Sequence, residues 1–501
     1  MEALSFITPM VIMLLFLGVI AGIIFGAIPG MTATMALAIF LPLTYALDIS
    51  EALTLLLGLY VGGISGGFVP AILLNIPGTP SSITTTFDGY PMARNGQGKK
   101  ALRIAVTASL FGGLVSLVLL ALFTPMLSEL AMKFSYVEKF LIILFALSVI
   151  GSLSQGSLVG GLFSGGLGIL ISLIGAYSIG VGGNGKVRLV PSFLEDTLYS
   201  GFGTLPVLIG LFAVAIIFEE AEKGMKENKL GEIKIDDSEK FTLKDFKGQG
   251  VNLIRSSFIG TFVGMLPGVG GSAASILSYS QAKNFSKNKT EFGKGATSGL
   301  VASETANNAL TGGALIPLLS LGIPGDSTTA VLIGAFTLQG IGVGPLFISN
   351  NPETWSNMLV IMLMANIAMF AVMFLAIKPI SKVVFIPKYI LFPIIAVMCT
   401  IGAYAVNYGV MFDVWSIFIF GLVGYIGKKL GLQIPPFLIG FILGKQAEQY
   451  FIKSLESFGT YTIFFTKSPM AVVLWILIIV SFAYAIVTAR REKAEAMARE
   501  A

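Results

Sequence analysis

The sequence predicts an all-α polytopic membrane protein made of two inverted structural repeats, with Pro-Gly-broken helices and re-entrant hairpins. Three observations carry that prediction. Apolar runs recur from end to end. A Pro-Gly turn set in apolar sequence occurs four times, in two matched pairs. A charged segment divides the two halves.

Of the 501 residues, 55% are hydrophobic and only 12% charged, with a mean hydropathy of +0.86. A soluble globular protein averages about 25% charged residues, so most of this chain meets lipid or other apolar helices. Runs near or above the roughly 18–20 residues that cross a bilayer are clearest at 8–28, 104–127, 140–180 (room for two passes), 203–218, 251–266, 356–377, 389–406 and 470–488. The first lacks the basic start of a signal peptide and runs straight into the repeated motif, so it reads as a membrane helix. With the interrupted segments the expected total is roughly ten to fourteen.

The first matched pair is Ile28-Pro29-Gly30 and Leu266-Pro267-Gly268; the second is Ile76-Pro77-Gly78 and Ile323-Pro324-Gly325. Around the second pair one constant offset superposes Gly66 on Gly313, Pro70 on Pro317, Pro77 on Pro324, Thr79 on Asp326 and Ser82 on Thr329. A slightly smaller offset superposes Gly22 on Gly260, Gly26 on Gly264 and Thr34 on Ser272. Halves that break their hydrophobic segments at corresponding places mark a repeat-built secondary transporter.

Charge sets the expected organisation. Lysine and arginine cluster at Arg94, Lys99, Lys100 and Arg103, at Lys283, Lys287, Lys289 and Lys294, at Lys428 and Lys429, and at Arg490, Arg491 and Lys493. The positive-inside rule puts these connections in the cytoplasm. The predicted units are a first membrane repeat (1–218), a charged cytoplasmic linker (219–250), a second membrane repeat (251–448), and a C-terminal membrane helix with a basic cytoplasmic tail (449–501). The second repeat enters from the cytoplasmic linker. The stretch before the first carries no lysine or arginine, so the halves are expected to have opposite topology.

Proline cannot continue a helix, and glycine tolerates left-handed backbone. A Pro-Gly pair inside a hydrophobic segment therefore frees N–H and C=O groups that lipid cannot satisfy. Such a break must be buried in protein or line a wet cavity. Hydroxyls follow every break: Thr32 and Thr34; Thr79, Ser81, Ser82, Thr84, Thr85 and Thr86; Ser272 and Ser275; Ser327, Thr328 and Thr329. With exposed amides and helix N-termini they can hold a carboxylate without a full positive charge, and with carbonyls they suit a small cation.

The expected substrate-binding residues are Pro29, Gly30, Thr32, Asn75, Pro77, Gly78, Thr79, Ser81, Ser82, Pro267, Gly268, Asn307, Asn308, Pro324, Gly325, Ser327 and Thr328. Asp326, Thr329 and Glu304 are the candidates for a coupling ion, since a carboxylate in apolar sequence is costly and functional by default. Two of these readings have structural rivals: Asp326 also suits a helix cap, and Asn307 and Asn308 also suit bonding between helices. Asp88 reads as a turn near the membrane interface; Asp413, Lys445 and Glu448 read as loop or helix-end residues.

Absences exclude whole classes of chemistry. Without histidine there is no imidazole proton relay and no His-ligated metal. The lone Cys399, in an apolar stretch, excludes disulfides within the chain and reads as a core residue. The net charge of +5 fits cytoplasmic loop bias and not nucleic-acid binding. No glycine run has the Lys-Ser/Thr ending of a phosphate loop. No enzyme, cofactor or resident metal is expected; the co-transported ion is expected to be Na+ or H+, so any metal would be Na+ as cargo.

The residues Gly26-Ala27-Ile28-Pro29-Gly30-Met31-Thr32, Asn75-Ile76-Pro77-Gly78-Thr79-Pro80, Asp88-Gly89-Tyr90-Pro91, Leu266-Pro267-Gly268-Val269-Gly270, Ser303-Glu304-Thr305-Ala306-Asn307-Asn308 and Gly322-Ile323-Pro324-Gly325-Asp326-Ser327 resemble the large membrane subunit of tripartite tricarboxylate transporters, the TctA family, over nearly the whole chain. The resemblance implies a multi-pass symporter subunit of the bacterial inner membrane, acting with a small four-helix membrane subunit (TctB-like) and a periplasmic solute-binding protein (TctC-like). It also implies uptake of citrate or related carboxylates with co-transported Na+ or H+, and an elevator motion. The rival reading is a stand-alone carrier of another small carboxylate or zwitterion.

Overall fold

The computed structural model describes residues 5–153, 158–176, 187–222, 240–383, 388–406 and 410–500. Most of the expected linker, 223–239, lies outside them.

The chain is helical almost throughout. Helix α1 (Pro9–Ala27) is capped by Thr8, whose hydroxyl accepts from the Val11 amide at 3.2 Å, and it stops at the first Pro-Gly break. The short α2 (Ala33–Phe40) restarts at Thr32. Helices α3 (Ile49–Gly66) and α4 (Phe68–Leu74) run up to the second break. A single 3-10 turn (Pro80–Ser82), α5 (Thr85–Met92) and the long α6 (Gly98–Met132) follow. Helices α7 (Tyr136–Leu153) and α8 (Leu158–Ser172) lead to a two-residue β-hairpin pairing Gly175 with Arg188. Beyond it come α9 (Glu195–Leu198), α10 (Thr204–Ile209) and α11 (Ala215–Glu222), the last two joined through a π turn.

After the linker, α12 (Gly250–Gly264), α13 (Gly270–Phe285), α14 (Thr297–Leu321) and α15 (Ser327–Leu338) repeat the opening arrangement. Next are α16 (Phe347–Asn350), α17 (Pro352–Leu375), α18 (Ile377–Val383), α19 (Lys388–Val406) and α20 (Met411–Lys429). The chain ends in α21 (Ile434–Phe458), α22 (Ile463–Thr466) and α23 (Pro469–Glu500). Six described helical stretches are long and apolar enough to cross a membrane, among them Pro9–Ala27, Ile49–Leu74, Thr85–Met132 and Pro352–Leu375. Several passes in one chain make this a multi-pass membrane protein.

The sequence repeat is also a repeat of packing. A Cβ on Gly22 would lie 2.5 Å from the Leu59 carbonyl oxygen, and one on Gly260 would lie 2.3 Å from that of Ala306. Reciprocally, a Cβ on Gly66 would meet the Ile23 oxygen at 2.5 Å, and one on Gly313 the Thr261 oxygen at 2.3 Å. Every partner is related by the same offsets as the glycines. Helices α1 and α3 therefore cross as α12 and α14 do, with backbones drawn together by missing side chains, as small residues permit in membranes.

The core centres on α3 and α14, both buried almost throughout. The polar residues of α14 serve its neighbours. Glu304 accepts from Thr85 and, at 3.4 Å, from Ser109. Asn308 donates to Ser109 at 2.7 Å and accepts from Ser65 at 2.6 Å. Ser275 donates to the Ser303 carbonyl at 3.4 Å.

Some placements differ from expectation. Asp88 lies within α5, wholly buried, and its Oδ1 accepts from the amides of Gly293, Gly295 and Ala296 at 2.8, 2.9 and 2.9 Å. It closes the loop that starts α14, a service that needs a buried acceptor and not a surface turn. Glu448 and Lys445 lie inside α21, because Arg188 arrives from the β-hairpin and donates to both Glu448 oxygens at 2.6 Å. Asp413 is in the first turn of α20, at a helix end as expected. Lys100 pairs with Asp245 at 3.1 Å and anchors the end of the linker to α6. Burial pushes the Asp245 carboxyl up, but the Thr242 amide and Lys100 outweigh it and hold it below the usual range.

Two measurements check these packing claims. Asp88→Ala strands three buried amides and should cost on the order of 3 kcal/mol, seen as a lower thermal midpoint of the purified protein, with Asp88→Asn recovering part of it. Glycine-to-alanine inside a helix ordinarily gains about 1 kcal/mol. Gly22→Ala and Gly260→Ala should instead each lower the midpoint, and a rise in either would refute the close crossing.

Candidate functional site

The four breaks pair within each repeat, and the pairing repeats. Gly30 and Gly268 both adopt left-handed backbone, at φ 90° and 78°. Asn75 and Gly322, again related by the offset, end their helices in the left-handed region at φ 59° and 74°. The Ile76 amide donates to the Pro70 carbonyl at 3.4 Å, and the Ile323 amide to that of Pro317 at 3.2 Å. The two breaks of one repeat touch each other. A Cβ on Gly78 would lie 2.2 Å from the Gly26 oxygen, and one on Gly325 would lie 2.4 Å from the Gly264 oxygen. The Gly268 amide also donates to the Gly325 carbonyl at 2.8 Å.

The helical turn after each second break is capped in the same way. The Thr79 amide donates to Ser82 Oγ at 3.3 Å, and Ser82 Oγ donates back to the Thr79 carbonyl at 2.9 Å. In the other copy the Asp326 amide donates to Thr329 Oγ1 at 2.9 Å. Asp326 Oδ1 accepts from the Thr329 amide at 2.7 Å, while its Oδ2 accepts from the Tyr60 hydroxyl at 3.0 Å. The cap reading of Asp326 is met in full.

The repeats then exchange contacts. Thr34 and Thr328 hydroxyls are hydrogen-bonded at 2.9 Å. On the other side, one residue from the offset-related Ser272, a Cβ on Gly271 would lie 2.4 Å from Ser81 Cβ. The first break of each copy thus meets the second break of the other, the reciprocal pattern a two-fold relation generates.

Where they meet there is a cavity of about 670 Å³. Thr32, Val269 and Asp326, the N-cap residues of α2, α13 and α15, all line it, as does Thr79 at the 3-10 turn. Three helices therefore aim their amide ends at one space, which favours negative charge there. Ser81, Gly268, Ser327 and Thr328 are also in the lining.

The remaining expected residues stand behind or beside it. Pro29, Gly30, Asn75, Pro77, Gly78, Pro267, Pro324 and Gly325 shape the turns, with Gly30 and Asn75 exposed outside the lining. Ser82 and Thr329 are spent on capping. Asn308 and Glu304 belong to the hub on α14, and Thr85 serves Glu304 rather than the cavity. Asn307 is intermediate: its Oδ1 is buried with no partner among the described residues, and lies 3.3 Å from the Cβ position of the lining residue Gly271.

The opposite wall had no signal in the Pro-Gly pattern. It comes from the π turn before α11, α11 itself, α20 and the start of α21 with its N-cap, through Phe212, Glu219, Tyr425, Lys428, Gln433 and Pro436. Lys428 Nζ pairs with Glu219 Oε2 at 2.6 Å.

Comparison with known proteins agrees with this architecture. The model of the tripartite tricarboxylate transporter TctA family matches residues 12–439. An Agrobacterium vitis protein described as an uncharacterized 52.8 kDa protein in the TAR-I ttuC' 3' region is 34% identical over 469 residues, 93% of this chain and 91% of that one. A second Agrobacterium vitis protein, uncharacterized and in the TAR-II ttuC' 3' region, is 39% identical over 213 residues, 42% of this chain and 87% of that one. No solved structure matches the chain. With its repeats, its paired breaks and these likenesses, the chain belongs to the tripartite tricarboxylate transporter TctA family.

Proposed function

We propose that the chain is the substrate-carrying membrane subunit of a cation-driven symporter for citrate-like tricarboxylates or related organic acids in a bacterial inner membrane. It would receive substrate from a TctC-like periplasmic binding protein and work beside a TctB-like four-helix subunit, as family membership suggests. The observation that carries the reading is the convergence of three helix N-termini and the Thr79 turn, with their hydroxyls, on one cavity. Its volume suits a small organic molecule.

Coupling to a cation follows from charge. Each helix end contributes about 0.3–1 kcal/mol toward a negative ligand, up to about 2 in buried geometry. The charged lining residues are Glu219, Asp326 and Lys428, two carboxylates and one ammonium. Such a site cannot neutralise a trivalent anion unaided. Moving that anion inward against a negative-inside potential costs about 2.3 kcal/mol per charge per 100 mV. Na+ or H+ entering with the substrate offsets both terms. Asp326 is the carboxylate of the repeat core that lines the cavity, Thr329 orients it, and the unpartnered Asn307 Oδ1 lies just behind the lining residue Gly271.

The cavity lies between the repeat core and the helices α11, α20 and α21. That position supports an elevator motion in which the core carries the loaded site past those helices. The reciprocal contacts between the breaks support repeats related by a two-fold axis in the membrane plane, hence inverted.

Two tests bear on this reading. Uptake of labelled citrate into proteoliposomes should rise with an imposed Na+ or H+ gradient, and Asp326→Asn should flatten that dependence while leaving the protein folded. Uptake indifferent to both gradients would refute symport. Ser81→Ala and Thr328→Ala should each raise the citrate concentration for half-maximal uptake about three- to tenfold, the loss of one hydrogen bond to a charged group; unchanged kinetics in both would move the site elsewhere.

A further inference from the structure

We propose that Lys428 is the cationic contact for substrate carboxylates at the cytoplasmic mouth of the cavity, reached by exchanging its partner Glu219 for the incoming anion. The inference rests on the carboxylate reading above and adds a charge from the wall opposite the breaks.

Lys428 is the one cationic side chain among the described residues lining the cavity, and Glu219 lines it too. Their 2.6 Å ion pair joins the ends of α20 and α11, with Lys428 63% and Glu219 26% exposed. A pair this open to water is weak and exchanges partners readily. Lysine suits such exchange, being a mobile point charge on a flexible stem with no fixed fork geometry to lose. The positive-inside rule places the Lys428-Lys429 connection in the cytoplasm. The wet end of the cavity is therefore where an anion leaves or enters on that side.

The neighbouring groups leave this task to Lys428. Lys429 pairs with Glu222 and donates to the Tyr425 hydroxyl at 2.8 Å. The N-terminus of α21 opens on the same wall, but Pro435 and Pro436 in its first turn supply no amide donors. The C-terminal end of α20 is itself partly negative and would repel a carboxylate without the lysine.

Breaking the pair need not part the two helices. The Lys429–Glu222 pair also joins them. Gly421 and Gly424 of α20 seat closely on Val214 and Ala215, where an added Cβ would come within 2.4 and 2.8 Å of their side chains. The junction is packed independently of Lys428, so the pair is available as a switchable contact.

The test uses the opposite signs expected of the two partners. Citrate binding to the purified full-length protein is measured by calorimetry, alongside thermal midpoints. Lys428→Gln should weaken citrate binding about tenfold, Lys428→Arg much less, and Glu219→Gln should tighten it severalfold by releasing the lysine. Succinate, with fewer charges, should lose less than citrate in Lys428→Gln. If Glu219→Gln weakens binding as Lys428→Gln does, with both midpoints falling together, the pair only fastens α20 to α11 and the proposal is overturned. Unchanged citrate binding in Lys428→Gln, with Ser81→Ala still weakening it, would also overturn the proposal but leave the carboxylate site standing. Wild-type protein that binds neither citrate nor succinate would remove the carboxylate site itself, and this contact with it.

Discussion

A backbone group released at membrane depth must find its partner inside the protein, because lipid offers none. Everything central in this fold answers that constraint. Each repeat stops two helices with a Pro-Gly pair, and the two stops of a repeat pack against each other. The Gly268 amide reaches the Gly325 carbonyl, and Gly78 presses on Gly26. Such contacts require backbones almost touching, hence the glycines where α1 crosses α3 and α12 crosses α14. Helices so close must also be shielded on all sides, which is why α3 and α14 are buried nearly throughout.

The same constraint produces a site. A helix that restarts after a break begins with amides that the preceding turn cannot satisfy. Thr32, Thr79 and Asp326 cap some of these, yet caps satisfy only part of each first turn. Because each repeat's first break leans on the other's second, the restarted ends face one another across a shared space instead of dispersing over the surface. An anion-favouring cavity is thus a consequence of how the breaks are stabilised. Its asymmetry lies at one offset-related pair: Thr79 is neutral where Asp326 is charged. One half of a nearly symmetric pocket carries a carboxylate that also accepts from Tyr60, and the other half carries only hydroxyls.

How much of this was legible follows from what each residue faces. Helices that meet lipid on one side, such as α1, α6, α17 and α23, announced themselves as apolar runs. Helix α14 did not, since protein surrounds it and can satisfy Glu304, Asn307 and Asn308, so its sequence is freer to be polar. The break residues were legible because proline and glycine have fixed backbone meanings, and because two copies at constant offsets exclude coincidence. Which hydroxyls reach the cavity was not. Thr79 and Thr85 look alike in sequence, but six residues and a change of element separate a lining residue from one that serves Glu304. The wall of α11, α20 and α21 was invisible because it belongs to no repeated motif and meets the breaks only in three dimensions.

Asp88 shows why a charged residue in apolar sequence cannot be assigned by type alone. It and Asp326 are both buried carboxylates beside a helix start, and both accept backbone amides. Asp88 gathers three amides from a loop of the other repeat and has no place in the cavity lining, whereas Asp326 gathers one amide and two hydroxyls and keeps an edge on the cavity. Access separates them: a carboxylate can exchange with a mobile ion only where water and ligand can reach it. The same criterion ranks Glu304 below Asp326 as a candidate ion ligand, since Glu304 is fully buried and Thr85, Ser109 and Asn307 enclose it away from the lining. It also raises Lys428, which the sequence marked only as part of a basic connection, because it combines full charge with a place at the open end of the cavity.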